Sequence, residues 1–347
     1  MNRCTLLPFL FGLAFTFSCA HPSGPFIAEE IKLPADPDGP DGYTPLDGYE
    51  AMEIPADNPL TPMSATLGKE LYFDTRLSGD GSRSCYSCHV CEKGLTDGLP
   101  TAIGAYEKKL SRSSPTLWNI GFHSEFYWDG RATSLEGQAA AAWKGGNMGA
   151  SDAQAIVDYL NSLPGYREQF EVVFGEPATT DNVPKALASY MRTIIGGNTA
   201  WDRWMAGDES AMSESAQRGF EVFKEARCTL CHVGVLMTDQ QFHNVGIGMD
   251  AAEPDVGRYK VTGLEKNMGA FKTPTLRDIS KSAPYFHNGS VATLEEAVQL
   301  MLAGGLPNPH LDAFLKPAEI SEQQFADLMA FLRSLDEPCD GTAPPLP

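Results

Sequence analysis

Two short motifs with the same spacing constrain this chain more than any other feature of its sequence. Cys85-Tyr-Ser-Cys88-His89 lies in the first half, and Cys228-Thr-Leu-Cys231-His232 lies in the second. The pattern C-x-x-C-H is typical of covalent c-type haem attachment, in which two thiols form thioethers and the adjoining His binds the iron. A single copy would also suit a redox cysteine pair or half of a zinc site, but neither copy has a second cysteine pair nearby. The sequence therefore predicts two covalent c-type haem groups.

Length and charge limit the classes of protein and of partner. The 347 residues suffice for two domains, and a hydrophobic content of 42% is enough to fill their cores. The formal charge of −19 argues against nucleic acid or an anionic membrane surface as a partner. An acidic surface attracts a basic protein such as a small cytochrome c, although plain solubility would explain the same charge.

The N-terminus has the features of an export signal. Asn2-Arg3 precede an apolar run from Leu6 to Phe17, which is too short to span a bilayer. Residues 1–20 are predicted to be a signal peptide, which is alternatively a lipoprotein signal that ends before a lipidated Cys19. A linker rich in Pro, Gly and Asp is expected over residues 21–57. We expect a periplasmic protein that is either soluble or lipid-anchored to the envelope.

Two cysteines remain after the haem motifs and the signal, which contains Cys4 and Cys19, are set aside. Cys91 and Cys339 could form a disulfide in an oxidising compartment, which would pin the C-terminal tail beside the first motif. The sequence alone does not show whether their Cα atoms come within bridging distance.

The hydrophobic periodicity predicts a mainly α-helical chain. A helix leads into each haem motif, over residues 65–73 and 213–225, and long loops with further helices follow. Capping boxes at Ser151, Thr293 and Ser321 predict three more helix starts. Pro164-Gly165 is expected to break the helical pattern, and another helix is expected over residues 181–195.

This organisation predicts two cytochrome c-like domains that carry one covalent haem each. The predicted ranges are 58–200 for the N-terminal haem domain, 201–337 for the C-terminal haem domain and 338–347 for the tail.

Several ordered blocks resemble the bacterial di-haem cytochrome c peroxidases, whose superfamily includes the methylamine dehydrogenase maturation enzyme. The blocks include Leu67-Gly-Lys-Glu-Leu-Tyr-Phe-Asp-Thr-Arg-Leu-Ser-Gly-Asp-Gly-Ser, Trp128-Asp-Gly-Arg-Ala, Gly257-Arg-Tyr-Lys-Val-Thr-Gly, Phe271-Lys-Thr-Pro-Thr-Leu-Arg and Ala283-Pro-Tyr-Phe-His-Asn-Gly. The resemblance implies a peroxidatic N-terminal haem and a high-potential C-terminal haem. The C-terminal haem would take electrons from a small cytochrome c or a cupredoxin. A homodimer is a candidate assembly.

The far side of the second haem needs a ligand if that haem only transfers electrons. From the residues alone Met237, Met249, Met268 and Met301 are all candidates, and any one Met is more often core filler. The resemblance places Met301 where these peroxidases carry their axial Met, whereas the maturation enzyme has Tyr there.

The resemblance also implies two features between the domains. Trp128 corresponds to the tryptophan that lies between the two haem groups. A calcium ion would be bound through oxygen atoms of Ser113, Ser282 and Pro284, the last two through backbone carbonyls. Ser113 stands in place of the family's Asn.

The first haem site departs from the family at two positions. Ala105 stands where the peroxidases carry a loop His that caps the iron, so we expect an open coordination position; His123, the nearest substitute, is expected to be structural. The resemblance implies a distal Gln and a Glu that transfers a proton to peroxide. Gln138 matches the Gln, but Asn147 occupies the Glu position and cannot shuttle a proton. Glu136 is expected to point away from Gln138.

The leading interpretation is a di-haem peroxidase that reduces hydrogen peroxide to water. Electrons would pass from the second haem by way of Trp128 to the first, where Gln138 and Asn147 line the peroxide pocket. One alternative is a maturation-type oxidase that modifies a partner protein's Trp or Tyr through high-valent iron, which Met301 disfavours. The other is a non-catalytic electron carrier, in which two side chains would ligate each iron.

Overall fold

The computed structural model describes residues 52–347. The predicted signal peptide, the lipidation of Cys19 and most of the predicted linker lie outside the described residues and stay predictions. Within the described range the fold is mainly helical, which confirms the predicted class. No helix among these residues combines the length and the apolar character that a membrane crossing requires.

Helices connected by long loops make up most of the regular structure. In chain order they are α1 Pro62–Phe73, α2 Leu135–Lys144, α3 Ala153–Ser162, α4 Pro164–Phe174, α5 Asn182–Met191, α6 Ala200–Met205, α7 Glu214–Glu225, α8 Tyr259–Thr262, α9 Leu294–Leu302 and α10 Glu322–Arg333. Two short strands, β1 Phe242–His243 and β2 Phe271–Lys272, pair in antiparallel fashion. Each haem motif begins with a single turn of 3-10 helix, Cys85–Ser87 and Cys228–Leu230.

Two of the three predicted capping boxes are formed, and the third helix start has a different cap. The capping boxes at Thr293 and Ser321 are formed as predicted. The prediction at Ser151 was wrong, because Asp152 caps α3 and its carboxylate accepts a hydrogen bond from the backbone N–H of Ala155 at 3.1 Å. A carboxylate at the N-cap also interacts favourably with the helix dipole, which explains why it displaces the neighbouring serine.

The first hydrophobic core is built where α1 crosses α5. Leu67 and Leu71 of α1 are fully buried there. The two helices approach so closely at Gly68 that a Cβ at that position would come within 2.0 Å of the Ala186 carbonyl oxygen. This close contact fixes the direction in which α1 delivers the chain to the first haem motif.

The second core repeats this arrangement with α7 and α10. Phe223 of α7 packs on Phe331 of α10 with 5.0 Å between ring centroids. A Cβ at Gly219 would lie 1.9 Å from the carbonyl oxygen of Asp327, so a glycine again sets the helix spacing before a haem motif. The two cores lie on either side of residue 200, and the exact domain boundaries stay predictions.

Buried polar contacts and one covalent bond join the two halves. Arg112 forms ion pairs with Asp129 and with Asp255 at 2.8 and 2.7 Å. The Trp118 indole donates a hydrogen bond to Asp278 at 3.1 Å. Cys91 and Cys339 form the disulfide that the sequence left open, with their Cα atoms 5.7 Å apart. The tail is thereby held against the first half, where the Pro347 carbonyl accepts a hydrogen bond from Arg76.

Candidate haem sites and the cavity between the domains

Both haem motifs hold their histidine in the same way. His89 Nδ1 lies 3.0 Å from the carbonyl oxygen of Leu95, and His232 Nδ1 lies 3.1 Å from that of Met237. Both acceptor residues have left-handed backbone angles, with φ of 59° at Leu95 and 52° at Met237. A non-glycine residue in this conformation is strained, and such strain is typical of functional sites. Here it aims a carbonyl at each imidazole.

This hydrogen bond determines which form of each imidazole is present. An imidazole that donates Nδ1–H to a carbonyl keeps its lone pair on Nε2, the atom that can bind iron. Burial lowers the pKa of His89 and of His232, so both rings are held neutral. Both motifs therefore present the protonation state that a haem iron requires.

The thiols argue against a redox cysteine pair. Cys85, Cys88, Cys228 and Cys231 form no disulfide. Burial raises the pKa of the Cys85 thiol to about 12 and that of Cys88 and of Cys228 to about 11. Redox-active cysteine pairs have lowered thiol pKa values, because the thiolate is the reactive species. The two sulfurs and the oriented imidazole of each motif instead fit a covalently attached haem group.

A cavity of about 260 Å³ adjoins the second motif and extends to the first half of the chain. Cys228, Cys231, His232 and Met301 all line it. Met301 is on α9, whose capping box fixes the helix start. The cavity therefore gathers two attachment sulfurs, one imidazole and one thioether, which is the donor set of a haem with His and Met ligands.

His243 is a polar feature of this cavity that the sequence analysis missed. Its ring nitrogens lie 2.6 Å from Asp312 and 2.9 Å from Asp239. Contact with the Cys231 sulfur and with these two carboxylates raises the pKa of His243 to about 10. Cys231, Asp239 and His243 also have the spacing of a metal site, but the Cys231 sulfur is needed for haem attachment. Asp312 is too distant in sequence for the cluster to be predicted.

The cavity also contains residues that were predicted to lie between the domains. Trp128 lines it and donates its indole N–H to the Ser113 carbonyl at 3.0 Å. The Trp128 carbonyl accepts a hydrogen bond from the backbone N–H of Lys272 at 2.8 Å, which attaches this loop to β2.

Lys272 is a second cavity residue that was not predicted. Its ammonium donates to the Glu125 carbonyl at 2.6 Å and lies 2.9 Å from His123 Nδ1. Burial lowers the pKa of Lys272 to about 8 and lowers that of His123 well below its usual value. His123 therefore contributes to the contact between the halves, which supports a structural role.

The three predicted calcium ligands line the same cavity. Ser113, Ser282 and Pro284 all border it. The Ser113 hydroxyl donates to the Phe286 carbonyl at 2.9 Å and the Ser282 hydroxyl to the Ile279 carbonyl at 3.3 Å. The Ser113 hydroxyl oxygen keeps lone pairs, and Ser282 and Pro284 would bind through their backbone carbonyls, but none of the three residues supplies a carboxylate. The calcium ion stays a prediction.

Gln138 and Asn147, the residues predicted for the distal side of the first haem group, each accept a hydrogen bond at the backbone carbonyl. The Ala105 N–H donates to the Asn147 carbonyl at 2.9 Å, and the Tyr127 hydroxyl donates to the Gln138 carbonyl at 3.2 Å. A Cβ at Gly104 would lie 2.1 Å from the carbonyl oxygen of Gly146, so the Ala105 loop packs tightly on the segment after α2. Ala105 and Asn147 are therefore close together.

Glu136 does not take the place of the missing distal acid. Its carboxylate forms an ion pair with Arg192 at 2.6 Å and accepts a hydrogen bond from Asn58 at 2.7 Å. Despite burial, these partners keep the pKa of Glu136 below its usual value. The side chain is thus committed to the packing of α2 on α5 and is ionised at neutral pH.

Comparison with known proteins gives a consistent result over most of the chain. Residues 62–210 match the family model for di-haem cytochrome c peroxidase, and residues 216–336 match the model for cytochrome c. The methylamine utilization protein MauG of Methylorubrum extorquens is 40% identical over 307 residues, which cover 86% of this chain and 85% of that protein. The cytochrome-c peroxidase IdrP1 of Denitromonas iodatirespirans is 38% identical over 340 residues, which cover 88% and 90%.

A solved structure shows the same fold. The crystal structure of a MauG-like protein associated with microbial copper homeostasis aligns with a TM-score of 0.78 at 31% identity, covering 84% of this chain and 94% of that one.

Proposed function

The chain belongs to the di-haem cytochrome c peroxidase family, and on that premise we propose that it reduces hydrogen peroxide to water with electrons from a c-type cytochrome. The observation that carries this proposal is the asymmetry between two otherwise equivalent motifs. Met301 lines the same cavity as the second motif. At the position where the resemblance implies a loop His that caps the first iron, the chain has Ala105. Met301 would complete the ligand set of the second haem group for electron transfer, and the first haem group would keep a free position for peroxide.

The residues that would hold the two groups follow from the site geometry. Cys85, Cys88 and His89 would hold the first, and Cys228, Cys231, His232 and Met301 the second. When bound, these groups supply the electron transfer and the redox chemistry of the reaction. Trp128 would connect them, which is supported by its position in the cavity beside the second motif and by its hydrogen bond to Ser113.

The protein's own contribution at the first site is to orient peroxide. The side-chain amides of Gln138 and Asn147 donate hydrogen bonds to the two peroxide oxygens. Neither amide titrates. The proton that moves from the peroxide oxygen nearer the iron to the leaving oxygen would therefore travel through solvent water. Peroxide turnover at this site should therefore be slower than with a carboxylate there, and nearly independent of pH around neutrality.

The location and the calcium ion are finer parts of the proposal. A periplasmic location agrees with the predicted signal peptide and with the oxidised Cys91–Cys339 pair, since disulfides persist outside the cytoplasm. A calcium ion at Ser113, Ser282 and Pro284 is supported by their common position at the cavity. A lipid anchor at Cys19, a cupredoxin donor and a homodimer stay predictions.

Steady-state assay of the haem-loaded protein tests the activity. With reduced cytochrome c and hydrogen peroxide, we expect two electrons to be consumed for each peroxide. His89→Ala should abolish this turnover, whereas His123→Ala, which alters an interface histidine, should retain most of it. A rate no higher than that of free haem would reject the proposal.

Spin state separates this function from the electron-carrier alternative. We expect one high-spin and one low-spin iron in the EPR spectrum of the oxidised protein, because one site lacks a second side-chain ligand. Two low-spin irons that do not bind cyanide after partial reduction would favour a non-catalytic carrier.

A maturation-type oxidase is the second candidate, favoured by the 40% identity to a MauG protein. Met301 argues against it, because the resemblance implies Tyr at this position in a maturation enzyme. Covalent modification of Trp or Tyr in a partner protein, without cytochrome oxidation, would support it.

A further inference from the structure

Three tyrosines pack around the first haem motif and have no part in the reaction described above. Tyr72 is 1% exposed, and its hydroxyl donates to the backbone carbonyl of His89 at 3.2 Å. Its ring centroid lies 4.9 Å from that of Tyr190 and 6.4 Å from that of Tyr86. Tyr86 itself lies between the two attachment cysteines. Tyr72 therefore contacts the motif at the backbone of His89, Tyr86 is part of the motif, and Tyr190 packs on Tyr72.

Tyr86 extends the cluster towards solvent. Its ring stacks on Phe73 with 4.5 Å between centroids, so its position is defined by packing. Its hydroxyl donates to the Glu92 carboxylate at 3.2 Å, in a contact exposed to solvent. Tyr86 thus combines closeness to the first haem motif with a surface position and a carboxylate that can accept its proton.

These contacts have a chemical consequence for a peroxidase. Reduction of peroxide leaves oxidising equivalents at the first site until the electron donor supplies electrons. When no donor is available, the most easily oxidised side chains nearby are phenols and indoles. A phenol loses an electron more readily when a base takes its proton at the same time, and Glu92 is placed to do so.

We propose that the Tyr72–Tyr86–Tyr190 cluster is an outlet for oxidising equivalents and that Tyr86 is the side chain that becomes oxidised. This inference rests on the proposed peroxidase function. One electron leaves the Tyr86 phenol and reduces the first haem group by one equivalent. The phenolic O–H bond breaks, its proton passes to the Glu92 carboxylate, and a neutral phenoxyl radical remains on Tyr86. Tyr72 provides the buried contact between this ring and His89.

Radical trapping and peptide mass spectrometry test the proposal. The haem-loaded full-length protein is mixed with hydrogen peroxide and a nitroso spin trap, with and without reduced cytochrome c. Without the donor, we expect the adduct on the peptide that contains Tyr86, several-fold above that on Tyr159. Tyr159 is the matched control, because it is 46% exposed and lies on α3 rather than in the haem motif. Reduced cytochrome c should suppress the adduct.

Three variants assign the roles within the cluster. Tyr86→Phe keeps the stacked ring and should remove the adduct from this peptide. Glu92→Gln keeps the hydrogen-bond acceptor but not the base, and should lower the adduct several-fold. Tyr159→Phe should leave the adduct on the Tyr86 peptide unchanged.

The outcomes separate this inference from the proposed function. If the wild-type protein turns over peroxide with cytochrome c but labels Tyr159 as strongly as Tyr86, the inference is overturned and the function stands. Full labelling in Glu92→Gln would overturn the role of Glu92. Absence of peroxide turnover would overturn both proposals.

Discussion

The two haem histidines show how single residues decide the chemistry of a site. Leu95 and Met237 are ordinary apolar residues, but their left-handed backbones turn a carbonyl towards His89 and His232. Neither position is distinctive in the sequence, where glycine would be the usual choice for such a conformation. The two sites therefore hold their imidazoles alike, so we expect them to differ on the opposite side of each haem group.

Met301 should control the reduction potential of the second haem. Replacement of a thioether ligand by an imidazole removes the ligand that raises the potential. Met301→His should therefore lower the potential of this haem by on the order of 100 mV, as measured by a spectroelectrochemical titration. Met205→His, at a methionine that is 57% exposed, is the control and should leave the potential unchanged. An unchanged potential in Met301→His would show that Met301 is not the ligand.

Glu70 should make stability depend on pH. It is fully buried in α1, and one carboxylate oxygen accepts a hydrogen bond from Gln169 at 2.8 Å. Burial raises the pKa of Glu70 from its usual 4.5 to about 7. Between these values the native state holds a proton that the unfolded state has lost, so the free energy of unfolding decreases as pH rises through this window. Denaturant titrations should show a loss on the order of 2–3 kcal/mol.

Two variants test whether Glu70 causes the decrease of the free energy of unfolding with pH. Glu70→Gln should flatten the decrease, because a neutral amide has no proton to lose. Glu171→Gln, in an exposed ion pair with Arg167, should keep it. An equally steep decrease in Glu70→Gln would assign the effect to another group.

At the scale of helices, local rules in the sequence predicted most elements, and the failures have physical reasons. The capping boxes at Thr293 and Ser321 were confirmed because caps depend on neighbouring residues only. The predicted break at Pro164 was wrong, because α4 begins there and proline is favoured at the first position of a helix. The sequence shows where the proline lies but not whether it ends one helix or begins the next.

Some functional residues are predicted from local motifs, whereas others depend on contacts between distant parts of the chain. The attachment residues and Met301 are predicted from motifs and resemblance, and Met301 lines the cavity of the second motif. His243 and Lys272 were missed, because their partners Asp312 and Glu125 lie 69 and 147 residues away. Such clusters depend on the tertiary fold and leave no periodic signal in the sequence.

Arg277 should be essential for the packing of the second half. Its side chain is 0% exposed and forms ion pairs with Asp202 of α6 at 2.8 Å and with Glu337 at 2.6 Å. Arg277→Gln would leave two carboxylates without their cation, so we expect a loss of about 3–5 kcal/mol in the free energy of unfolding. Arg333→Gln, in the exposed pair with Glu295, should cost at most about 1 kcal/mol. Similar losses in both variants would contradict this view of the buried network.

At the scale of the whole molecule, the acidic surface should govern the encounter with the donor. A protein with a formal charge of −19 attracts a basic cytochrome, and added salt shortens the range of this attraction. We expect the second-order rate of cytochrome oxidation to decrease by roughly tenfold between about 10 mM and 150 mM ionic strength. Stopped-flow kinetics with a basic and an acidic cytochrome measure this. A rate independent of salt for the basic protein would show that the net charge does not steer the partner.

The bond between Cys91 and Cys339 has a consequence for how the molecule tolerates damage. These two residues are 248 positions apart, so the bond closes a ring that contains the entire second half. A protease that nicks a loop anywhere inside this ring produces two polypeptides that remain joined. After a single cut, the two haem-bearing halves can therefore separate only when a thiol reagent has also reduced this bond.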